Sequence, residues 1–173
     1  MGNNLAEPQA AGWLQTVLIG RRPRRTAIRI AVLVVVSFVV FTFGLLPIRV
    51  EGISMLPTYQ SHRINFVNRL AYVVHPPQRG DVVAIRMAGE RAMLMKRIVG
   101  LPNEMVGFHD GHLTINGQEI AEPYLKLPCF WEVPPVLDGP DEYYVVGDNR
   151  SMRPLDHVHG RAIRARIVGK VLL

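Results

Sequence analysis

Residues 91–102 read "RAMLMKRIVGLP", and how this stretch is read decides the fold class. Met93, Leu94, Met95, Ile98 and Val99 are apolar, and Gly100 with Pro102 closes the run. A short apolar run bounded by Gly and Pro reads as a buried strand. Lys96 stands in its middle. Lysine is almost never fully buried unless paired, so Lys96 is either an edge-strand residue whose ammonium reaches solvent or an amine that some chemistry requires.

The same texture continues on both sides. "DVVAIRM" (81–87) reads as a strand, and "HLTINGQEI" (112–120) as a hairpin with Asn116-Gly117 in a type I′ turn. "LKLPCFWEVPPVLDGPDE" (125–142) reads as a Pro-rich loop, "YYVVGD" (143–148) as a strand, and "AIRARIVGKVLL" (162–173) as one terminal strand. No internal repeat is visible. The expected fold is mainly β, a partly open barrel or sandwich of short strands behind one N-terminal transmembrane helix.

That helix is predicted from "IAVLVVVSFVVFTFGLLPI", Ile30 to Ile48, 19 residues without a charge. At about 1.5 Å per residue it spans roughly 28 Å, close to the hydrocarbon thickness of a bilayer. A cleaved secretory signal is the main rival, but the apolar run is long, a long segment precedes it, and no small-x-small site follows it. A buried core helix would show a polar face. The expected organisation is therefore a basic segment 1–29, an anchor 30–48 and a β-rich domain 49–173. Trp13, Leu14, Val17 and Leu18 would share one side of a short interfacial helix ahead of the anchor; a disordered tail is the other reading.

The net charge of +6 is local: residues 1–29 carry +4, mostly in "RRPRRTAIR" (21–29), and the remainder carries +2. A basic face for nucleic acid is therefore not expected. Positive-inside logic places the arginines in the cytoplasm and the domain on the outer face of the plasma membrane. The single cysteine, Cys129, excludes an intrachain disulfide.

Ser54 lies in "VEGISMLPTYQ" (50–60), directly after the anchor. On its own it reads as a turn residue. A serine hydroxyl is a poor nucleophile unless a base accepts its proton, and a neutral lysine can be that base. Apolar burial favours the neutral amine, and Lys96 sits in such surroundings. "HDGH" (109–112) and "HVH" (157–159) have spacings a metal could use, but two pairs without a third ligand read as polar surface, so no metal and no cofactor is expected. Nothing around Ser54 resembles the G-x-S-x-G elbow of a Ser–His hydrolase. Phe130 and Trp131 read as a hydrophobic contact with the fold or a membrane surface.

In chain order, an apolar segment, "ISMLPT" (53–58), "RGDVV" (79–83), "MKRIVGLPNE" (95–104) and "GDNR" (147–150) resemble the boxes of type I signal peptidases, serine–lysine endopeptidases of the membrane. The resemblance covers residues 30–173. It implies Ser54 as nucleophile, Lys96 as general base, preprotein signal peptides as substrate and the lipid bilayer as partner. It further implies an extended substrate beside an exposed strand, with small side chains before the cut, and Met55 lining the pockets. Gly52 matches the glycine variant of the position two before the nucleophile, which leaves the Ser54 N–H as the main oxyanion donor. After GDNR the chain departs from the family: Arg153 and Leu155 occupy the places of a serine and an aspartate, and Ser151 and Asp156 are the nearby substitutes. Two alternatives stay open: a dedicated processing peptidase for a pilus or conjugation precursor, and a catalytically inactive binding homologue.

Overall fold

The computed structural model describes residues 23–87 and 93–172. The expected helix through Trp13, Leu14, Val17 and Leu18 lies outside them. The chain divides into two units, residues 1–42 and 43–173.

The first unit holds α1 (Pro23–Val39), and the wider π-helical turn that follows it, Val40–Gly44, runs across the boundary at residues 42 and 43. Arg24–Gly44 is long and apolar enough to cross a membrane, and its large apolar side chains are exposed. The apolar run of the sequence does not end with the helix. Leu45–Ile48 belong to β1 (Leu45–Arg49). Pro47 has no N–H for a helical ladder and disfavours the helical conformation at Leu46, and β1 instead pairs antiparallel with β2 (Ile64–Asn68), Leu46 opposite Val67.

The second unit holds two antiparallel sheets. The larger adds β3 (Val82–Arg86), β4 (Met93–Gly100), β9 (Glu142–Val146), β10 (Gly160–Ile163) and β11 (Ile167–Leu172), in the order β1-β2-β11-β3-β4-β9-β10. The smaller comprises β5 (Met105–His109), β6 (His112–Ile115), β7 (Gln118–Glu119) and β8 (Val133–Leu137), in the order β7-β6-β5-β8. Both sheets keep free edges, so the mainly β expectation holds as two open sheets and not as a closed barrel. The Asn116-Gly117 turn has positive φ at both residues, 52° and 79°, as a type I′ hairpin requires.

Two expectations change. The Pro-rich stretch contains β8, which tolerates Pro134 and Pro135 because it is an edge strand with one neighbour, β5. The terminal segment is two strands, not one: β10 pairs with β9, a 3₁₀ turn (Arg164–Arg166) follows, and β11 inserts between β2 and β3.

β4 links the sheets. Met95 packs with Val50, Met55, Val67 and Val82, whereas Val99 joins Val106, Phe108, Leu113, Trp131 and Tyr144 between the sheets. The turn from β4 into β5 passes through Gly100, where a Cβ would lie 2.4 Å from Val106 and 2.7 Å from Tyr144. Trp131 thus belongs to the core, with its indole N–H donated to the Met152 carbonyl at 2.6 Å, while Phe130 is exposed.

Candidate active site

Ser54 sits in the loop joining β1 to β2. Gly52 turns the chain there with φ of 97°, in the left-handed region that favours glycine. The loop is pinned at its ends by Val50 N–H to Arg63 O (2.9 Å) and His62 N–H to Val50 O (2.7 Å). Met55 and Tyr59 are buried and anchor the loop to the first core cluster, leaving Ser54 half-buried between them and the surface. The Ser54 N–H has no hydrogen-bond partner among the described residues.

The turn after β9, Gly147–Arg150, grips this loop. Asn149 donates its N–H to the Ser54 carbonyl (2.9 Å) and its side-chain amide to the Ile53 carbonyl (3.0 Å). Thr58 donates its hydroxyl to Asp148 Oδ2 (2.6 Å). Gly147 cannot be larger, since a Cβ would lie 2.2 Å from the Ser54 carbonyl oxygen and 2.5 Å from His157 Nε2.

Lys96 comes from β4, opposite Val83 of β3, and only 2% of it is exposed. β4 is an interior strand, so Lys96 is not an edge-strand residue whose ammonium reaches solvent. Burial pushes its amine down to about 8, against the opposing pull of the Asp148 carboxylate. Lys96 faces a cavity it shares with Leu94, Val145 and His159. The next residue, Arg97, grips Asp148 with two hydrogen bonds (2.8 and 2.6 Å), stacks 4.0 Å over the Tyr124 ring and donates to the Gly80 carbonyl (2.8 Å). The structure thus brings the Ser54 loop and the Lys96 strand to one turn. Asn149 of that turn holds the serine's carbonyl, and Asp148 acts on the lysine's charge.

The substitutes named after GDNR do other work. Ser151 donates to Asn149 Oδ1 (2.6 Å), which supports the grip on the Ser54 loop. Asp156 forms a surface ion pair with Arg153 (2.7 Å). The residue that this segment buries is His157, only 3% exposed, whose Nε2 accepts the Gly147 N–H at 2.8 Å. Burial and the nearby Lys96 and Arg150 cations push its ring down to about 3, so it is neutral. His159 shares a hydrogen bond of 2.9 Å with the Tyr144 hydroxyl, and burial and Lys96 lower it too. Arg150 is fully buried, bound to Glu122 (3.0 and 2.6 Å) and to the Gly147 carbonyl (2.8 Å). Sequence reasoning missed His157 and His159 as supports of this turn, their only signal being position after GDNR, and it quoted Arg150 within GDNR without giving it this role.

The other histidine pair is separate. His109, Asp110 and Glu132 bring ligand-type atoms within 4.8 Å of one another, with Glu132 supplied by a distant segment. All three are exposed, and His109 Nδ1 already bonds Glu132 at 2.9 Å.

The family model described as "Signal peptidase, peptidase S26" matches residues 24–172. Signal peptidase I T of Bacillus subtilis (strain 168) is 36% identical over 155 residues, covering 83% of this chain and 79% of that protein. A signal peptidase I of Bacillus caldolyticus is 32% identical over 170 residues, covering 87% and 89%. One from Leptolyngbya laminosa is 31% identical over 128 residues, covering 69% of this chain and 63% of its own.

Proposed function

The chain belongs to the signal peptidase S26 family, and we propose that it is a membrane-anchored serine–lysine endopeptidase that removes signal peptides from exported preproteins. The observation that carries this reading is Lys96: a buried amine with a lowered proton affinity, on a strand that meets the Ser54 loop at one turn.

In this mechanism Lys96 in its amine form takes the proton of the Ser54 hydroxyl as the oxygen attacks the scissile carbonyl. With the amine at about 8, roughly a tenth of the molecules carry the base form at pH 7. The unpartnered Ser54 N–H is the donor toward the developing oxyanion. The ammonium of Lys96 then returns the proton to the leaving amine, and the freed amine activates the water that hydrolyses the acyl-enzyme. Asp148, held by Arg97 and Thr58, limits how far Lys96 is depressed, because its carboxylate favours the ammonium.

A groove at the start of the Ser54 loop is lined by apolar Pro47, Ile48, Val50, Met93 and Met95 and by charged Arg49 and Glu51, from β1, the segment after it and β4. β1 has a free edge, so an extended peptide adds to it by main-chain hydrogen bonds. The groove's apolar part, Ile48, Val50, Met93 and Met95, fits small side chains ahead of the cut. Arg24–Gly44 is the anchor, with the arginine cluster of residues 21–29 in the cytoplasm and the domain on the outer face of the plasma membrane.

The test is cleavage of a purified preprotein by the detergent-solubilised full chain. The reading requires wild type to release the signal peptide and Ser54→Ala to release none. Equal cleavage by both would refute it.

A further inference from the structure

Antiparallel register gathers an unusual set of side chains at one end of the larger sheet. β2 ends near Asn68 where β1 begins, β3 ends at Arg86, and β11 starts at Ile167 opposite Ile85. Arg69, Arg86 and Arg166 follow or flank these ends, and together with Phe43, Leu70 and Val168 they line one cleft of the folded domain. Arg86 and Arg166 also line the cavity that Lys96 faces, where Arg161 and His159 join them. No residue lining either hollow is acidic. Arg161 has a surface partner, Glu142, at 3.5 Å, but Arg86 and Arg166 have no ion-pair partner among the described residues.

Three guanidinium groups around one cleft repel one another and favour an anion that offers several acceptor oxygens. The cleft also offers apolar surface: its lining residues Phe43 and Leu70 are both more than half exposed. Phe43 is also the penultimate residue of the apolar segment Arg24–Gly44. A free inorganic anion has no use for that apolar surface, whereas a phospholipid presents a phosphate joined to glycerol and acyl chains.

Resting on the membrane-anchored reading above, we propose that the cleft between Arg69, Arg86 and Arg166 binds the phosphate of an anionic phospholipid, with Phe43 and Leu70 against its glycerol and upper acyl chains. The site gives the domain a preference for anionic over zwitterionic lipid, which an apolar anchor alone does not have.

The experiment is native mass spectrometry of the full chain, released from a neutral maltoside detergent in the presence of dihexanoyl phosphatidylglycerol, dihexanoyl phosphatidylcholine or inorganic phosphate. At about fivefold per arginine, the phosphatidylglycerol adduct should exceed the phosphatidylcholine adduct by roughly 10-fold or more. Arg86→Gln with Arg166→Gln should bring that ratio close to one, whereas the doubly Lys-substituted protein and Arg63→Gln, an exposed arginine outside the cleft, should keep most of it. A wild-type ratio near one, a preference that survives the double Gln change, or inorganic phosphate displacing the lipid at equal concentration would overturn the proposal. The readout needs no peptidase activity, so a chain that fails to cleave preprotein sinks the catalytic reading and leaves the lipid ratio to be judged alone.

Discussion

The backbone N–H of Asn149 donates to the carbonyl of Ser54 across 2.9 Å, joining residues 95 positions apart in the sequence. The Asn149 side chain repeats the grip on Ile53, so the proposed nucleophile is fixed from a turn that belongs to the lysine's own sheet.

Removing half of that grip should therefore cost rate before it costs fold. Asn149→Ala keeps the backbone bond but frees the Ile53 carbonyl. Misplacing a nucleophile by about 1 Å costs on the order of 100-fold. We expect kcat to fall by roughly 10- to 100-fold with little change in KM, measured by steady-state cleavage of a preprotein. An unchanged kcat would show that the turn does not hold Ser54 in place.

Asp148 gives a test with a sign. Its carboxylate favours the ammonium form of Lys96, so Asp148→Asn should move the acid limb of the pH–rate profile to lower pH. The same change leaves Arg97 buried without its counter-charge, for which a loss of about 3–5 kcal/mol of stability is expected, read by denaturant titration. A limb that stays in place or moves to higher pH would mean that Asp148 does not act on the catalytic base.

Lys96 should be a liability to the fold. Its proton affinity is lower in the folded chain than in the unfolded one, so the folded state loses stability wherever the amine is charged. The cost is complete below about pH 8 and fades as pH rises through lysine's ordinary value of about 10.4. Lys96→Met should raise stability at pH 7 by roughly 1–3 kcal/mol and flatten its rise between pH 8 and 10. A destabilised Lys96→Met protein would contradict the burial argument.

Much of the fold around the candidate site was legible because its signals are local. The Lys96 run, the Gly–Pro punctuation and the Asn116-Gly117 turn each act within a few residues, and they gave a buried strand and a hairpin, though not whether that strand was interior or at an edge. What escaped the sequence depends on distant partners. β8 forms despite two prolines because β5 offers it an edge, and residues 162–173 break into two strands because β10 and β11 have different neighbours. Leu45–Ile48 look as apolar as the helix before them, and only the pairing with β2 draws them into a strand. His157 was read as a surface histidine, since nothing in "HVH" tells that Gly147 would present an N–H to its ring.

The central claim, that Lys96 must lose its proton to act, is tested most directly by the cleavage activity of Lys96→Arg. Arginine keeps the positive charge and much of the length, but its guanidinium does not deprotonate in a protein. The account predicts that full-chain Lys96→Arg, shown to be folded by its denaturation midpoint, cleaves preprotein no faster than Ser54→Ala at any pH from 6 to 10. A Lys96→Arg protein that retains activity within about 10-fold of wild type would contradict the serine–lysine mechanism.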